Sequence, residues 1–180
     1  MRANRIALVL FTCVFLAGAA FAEDQKPAAD HGTPVRPNVG FDLMKSLVGS
    51  WEMPGKDGAP TCAVSFTLVS GGTALMETMD MGEAHSAMIT VYHPDGDKLM
   101  MTHYCGANNQ PRMRCLKPSA EGKSLDFEFV GGSNMPTPAT GHMHHLVIKL
   151  DDTDHMTEEW TWKEAAKSGT EVFHFARKVS

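Results

Sequence analysis

From Trp51 to the C-terminus the apolar residues recur every second position, and they do so in short runs. Such runs fall at roughly 50–53, 61–69, 73–80, 85–93, 97–105, 111–117, 123–130, 142–150, 155–163 and 170–178. Period two is the signature of a strand with one buried face. Turn chemistry separates the runs: "GKDG", "SGG", "MGE", "HPDGD", "GANNQP", "SAEGK", "GGSNMPTPATG", "DDTD" and "AAKSG". Links this short join antiparallel neighbours, so the pattern predicts an all-β meander. A meander of about ten strands removes its exposed edges by closing, which predicts an antiparallel up-and-down barrel. A two-sheet sandwich satisfies the same pattern and stays open. Before the first run, "NVGFDLMKSLVG" places Phe41, Leu43, Met44, Leu47 and Val48 mostly on one helical face. Asn38 is placed to cap that short helix and Gly49 to stop it.

The first 22 residues, "MRANRIALVLFTCVFLAGAAFA", are expected not to belong to the fold. Arginines, an apolar run from Ile6 to Leu16 and the small-residue pattern Ala20-Phe21-Ala22 read as a secretory signal peptide cleaved after Ala22. The run is shorter than the ~20 residues of a membrane span, so export without membrane insertion is expected, to the periplasm or beyond. Residues 23–37 are polar, proline-rich and without periodicity, a disordered lead-in. Residues 38–180 then form one barrel domain. Cleavage removes Arg2 and Arg5 but no acid, moving the formal charge from −5 to −7. An acidic chain without a Lys/Arg cluster is a poor partner for nucleic acid or anionic lipid. Cys62, Cys105 and Cys115 remain after cleavage. In an oxidising compartment one disulfide and one thiol are expected, with Cys105 and Cys115, which flank a turn, as the first candidate pair.

Four stretches in order, "SLVGSWE" (46–52), "SGGTALMETM" (70–79), "VYHPDGDKLMMTHY" (91–104) and "DHMTEEWTW" (154–162), carry a family resemblance. The chain resembles the calycin-type barrels (lipocalins, fatty-acid-binding proteins and the nitrobindin-like group). It is similar above all to a bacterial family of unknown function with such a barrel. The resemblance implies a calycin-like fold that holds a small apolar ligand or, in the nitrobindin-like group, haem. It implies no catalysis. It also implies structural roles for Trp51, under the barrel floor, and Arg177 from the last strand, joined by a cation–π contact.

Alternation assigns faces within each run. Cys62, Val64, Phe66 and Leu68 share one; so do Leu125, Phe127 and Phe129, and Leu99, Met101, His103 and Cys105. In "GHMHHLVIKL", His142 and His144 share a parity and His145 takes the other. Met156, Glu158, Trp160 and Trp162 align, which puts a carboxylate on an apolar face where burial without a partner is unfavourable. A histidine, Arg112, Arg114 or a ligand is expected to satisfy it. Strands 73–80, 85–93 and 170–178 have mixed parity and no assigned face.

These faces yield the functional expectation, an exported small-molecule-binding protein of the bacterial envelope. His103, His142, His144, Glu158, Trp160, Trp162 and Met101 are its expected lining, mostly apolar with a few orienting polar groups. The alternative is a copper- or haem-binding periplasmic protein. His142 and His144, ~6–7 Å apart along a strand, would bind metal with His103, and the abundant methionines add thioethers that suit copper. His174 is the candidate axial ligand for haem. Against both, methionine fills irregular cores without binding anything. No nucleophile elbow, His-Glu-x-x-His or phosphate-cradling loop is present, so no reaction is read from the chain.

Overall fold

The structure, a computed structural model, describes residues 37–55, 60–82 and 86–178. The expected leader and nearly all of the lead-in lie outside the described residues. The alternating runs form β1 (Gly49–Pro54), β2 (Pro60–Val69), β3 (Ala74–Asp80), β4 (Met88–Asp95) and β5 (Lys98–Tyr104). They continue as β6 (Gln110–Cys115), β7 (Ser124–Ser133), β8 (His142–Leu150), β9 (His155–Glu164) and β10 (Lys167–Arg177). Each strand pairs antiparallel with its chain neighbours, and β1 meets β10 through Trp51 opposite Arg177 and Glu52 opposite Ala176. The result is a closed ten-stranded up-and-down barrel; the sandwich is excluded. No helix among the described residues is long and apolar enough to cross a membrane.

One end of the barrel is floored. Helix α1 (Val39–Lys45) starts at Asn38, whose Oδ1 accepts from the Phe41 amide at 2.9 Å. The Asn38 side chain also donates to the carbonyls of Gly96 and Lys98, pinning the helix to the β4–β5 turn. The helix is shorter than its apolar pattern: Ser46 caps it, and Leu47 and Val48 lead into β1 through Gly49 at φ 129°, a conformation other residues rarely adopt. Beneath the floor, Trp51 donates its indole N–H to the Leu47 carbonyl at 2.8 Å. The Arg177 guanidinium lies 4.0 Å from the Trp51 ring and donates to the carbonyls of Ser46, Val48 and Thr153.

Alternation places Cys62, Val64, Phe66, Leu99, Met101, His103, Leu125, Phe127, Leu146, Ile148, Met156, Glu158 and Trp160 in the interior. Leu68 shares that parity but is exposed, although Leu75, directly opposite it on β3, is fully buried. The strands of mixed pattern resolve as well. Leu75, Glu77 and Met79 face in from β3, Thr90 and Tyr92 from β4, and Phe173 and Phe175 from β10. His174 therefore points out, its Nδ1 3.0 Å from Thr157 Oγ1. The last hairpin turns at Ala165-Ala166, not at Gly169, with Ala165 at φ 51° and its amide held by the Ala139 carbonyl.

The expected disulfide is not formed; Cys62, Cys105 and Cys115 are free thiols. Cys115 pairs with Leu99 across β5–β6, whereas Cys105, just past the end of β5, lies six residues farther along. At about 3.3 Å per residue that offset is about 20 Å, beyond the ~7 Å a disulfide spans. Flanking a turn brought the two chain segments together but not the two cysteines. Protein denatured without reductant is expected to take an iodoacetamide label on each of these three residues. Labelling of only one would show a disulfide.

Candidate functional site

The floored end and an opposite mouth divide the interior, and the polar residues lie toward the mouth. His103, on β5, is 2% exposed. Its Nδ1 lies 2.9 Å from the hydroxyl of Thr90, its cross-strand partner on β4. Its Nε2 is buried without a hydrogen-bond partner. Burial pushes the imidazole down to about 4, so the ring is neutral at physiological pH. With Nδ1–H donating to Thr90, Nε2 keeps a free lone pair. The Trp160 ring lies 4.7 Å from that of His103, tilted by 44°.

Two carboxyls are buried deeper. Glu77 Oε2 accepts from Tyr92 Oη at 2.5 Å, and Glu158 Oε2 accepts from the Trp160 indole N–H at 2.9 Å. The remaining oxygen of each has no partner. Burial raises both, Glu158 to about 7 and Glu77 well above the carboxylate range, with repulsion from Glu158 adding to the latter. Sequence reasoning left Glu158 seeking a histidine, an arginine or a ligand, but its partner is an indole two residues along the same strand. Arg112 is exposed, and the Arg114 Nε is itself without a partner. Glu77 was hidden because Met76 carries apolar character on the opposite parity.

The mouth holds a narrow cleft of about 30 Å³ bordered by Met79, Met81, Met88 and Met143, with His103, Trp160, Glu171 and Phe173. Register explains the methionines. Met79 and Met88 are directly opposed on β3 and β4, and Met88 is two residues before Thr90, the partner of His103. Met143 arrives from across the barrel through a bulge: β8 slips against β9 between Met143 and His145, so His144 opposes no β9 residue and Met143 faces Trp162.

Next to the same bulge, His142 and His144 lie together as their shared parity predicts, but apart from His103. The rings of His142 and His144 pack on Phe129 at 4.5 and 5.2 Å, with His142 Nε2 3.1 Å from His144 Nδ1. His142 also bonds the Thr140 carbonyl through Nδ1. Among the described residues, no three or more His, Cys, Asp or Glu side chains gather as a metal site, so His103 does not join His142 and His144. His145 faces out to Asp126. Of the expected lining, His103 and Trp160 border the cleft. Met101 is core between Tyr92 and Met113, Glu158 lies beneath Trp160, and Trp162 packs against Gly141. The bulge has no signature in a single sequence; only the methionine count hinted at the cleft. No protein-family model matches the chain, and no curated protein matches it.

Proposed function

We propose that the chain is an exported binding protein of the bacterial envelope, of calycin-like build, whose ligand sits in the cleft at the barrel mouth. One observation carries the reading: the buried, neutral His103, whose Nε2 has no hydrogen-bond partner, borders a cleft whose other lining is four methionines, Trp160, Phe173 and one carboxylate, Glu171. A buried nitrogen left without a partner is unfavourable by about 1–3 kcal/mol. An occupant that bonds it removes that penalty. The occupant is small, because about 30 Å³ is only about two to three times the ~10–15 Å³ that one water requires. A fatty acid or porphyrin would need the methionines and Trp160 to move aside.

Native mass spectrometry with elemental analysis, on protein purified from its natural host, tests the proposal. A stoichiometric adduct is expected, reduced at least several-fold by His103→Ala. A bare chain mass, unchanged by that substitution, would make the mouth mere packing.

A further inference from the structure

The cleft combines four thioethers with one imidazole, and the way they are held points to a particular occupant. Met44, Met101, Met113 and Met156 are at most 1% exposed and serve as core. Met81, Met88 and Met143 are instead half-buried and, with the buried Met79, line the cleft at the mouth. Directly opposed residues have Cβ atoms ~4.5–5.5 Å apart, and diagonal neighbours remain within reach of long side chains. Met79, Met88 and His103 thus form a contiguous donor set on three adjacent strands. Met143 closes it from the opposite wall.

We propose that this cleft is a copper(I) site, with the Met79, Met88 and Met143 thioethers and His103 Nε2 as ligands and Met81 as a further thioether at the rim. The inference rests on the reading of the cleft as a binding site and names its occupant. Thioether sulfur and neutral imidazole are soft and borderline donors that suit a monovalent copper ion and suit zinc or magnesium poorly. Thr90 supplies the outer bond that fixes a ligating histidine, holding Nδ1 while Nε2 faces the ion. Charge agrees: the Glu171 carboxylate borders the cleft. Size agrees as well, since the narrow cleft suits an ion better than a large organic molecule.

The test titrates the exported protein anaerobically with copper(I) against bicinchoninate, with zinc in parallel. One copper(I) per chain and no zinc are expected. Met79→Leu with Met88→Leu keeps the side-chain volumes. It is expected to weaken binding by more than the ~10–100-fold that loss of an outer partner causes. Selenium-edge X-ray absorption on copper-loaded selenomethionine protein reads the ligands without any variant, and a copper–selenium distance is expected. Its absence, or copper that survives the leucine pair but is lost on alkylating Cys62 and Cys105, overturns the thioether site. An organic adduct with no copper(I) uptake overturns this inference while leaving the cleft a binding site. Neither occupant removes both.

Discussion

Replacing Trp51 with alanine is expected to lower the unfolding free energy by about 3–5 kcal/mol, the largest loss from any single substitution considered. The ring is 1% exposed and unites three elements. It takes the Leu47 carbonyl as acceptor, sits inside the barrel beside Val64 of β2, and carries the Arg177 guanidinium on its face. Alanine leaves a cavity, strands the Leu47 carbonyl and frees a guanidinium that also holds Ser46, Val48 and Thr153. Arg177→Ala is the smaller change, about 1–2 kcal/mol, because the side chain is 28% exposed and water screens part of its charge. Urea unfolding of the two single variants and the double variant measures their coupling, expected at about 1 kcal/mol. Strict additivity would mean that ring and guanidinium are mere neighbours.

Glu158→Gln moves stability the other way, and only at higher pH. The carboxyl has an ordinary value of 4.5 and is raised by burial to about 7 in the folded chain. The folded state therefore binds the proton more tightly, and stability falls as pH rises from about 4.5 to 7. At 1.36 kcal/mol per unit, the loss at pH 8 is about 3 kcal/mol. Glutamine has no proton to lose, and its carbonyl can still accept the Trp160 N–H. The variant is expected to be more stable than the parent by about that amount at pH 8, with the gap closing toward pH 4.5. Denaturant midpoints across that range decide it. A gap that does not depend on pH would show that Glu158 titrates normally.

The meander was readable because most of its ten runs carry a clear period of two and a turn signal separates each from the next. Val64, Phe66, Leu125 and Phe127 needed no tertiary information to be placed inside. Failures came where a local rule met a non-local one. Cys105 and Cys115 flank a turn, yet cross-strand register separates them. His142 and His144 share a parity and do lie together, on Phe129, yet His103 does not join them, and Met143, beside a bulge, borders the cleft instead. Glu77 sits on a strand whose other face carries Met76, so its burial became visible only when β2 and β4 flanked it. His103 was assigned by parity alone; Thr90, which orients it, belongs to a strand whose pattern gave no face.

The two-residue seam between β1 and β10 also bears on how the chain folds. Every other ladder joins consecutive strands and can form as a hairpin, early and with little loop entropy to overcome. Only this ladder requires the two ends of the domain to meet. Closure is therefore a late event in the order of assembly, and the Trp51–Arg177 stack lies across it. The contact that floors the barrel is thus also its latch. Until it engages, the outer edges of β1 and β10 are open to pairing with another chain, which makes the seam the point where slow folding would turn into self-association.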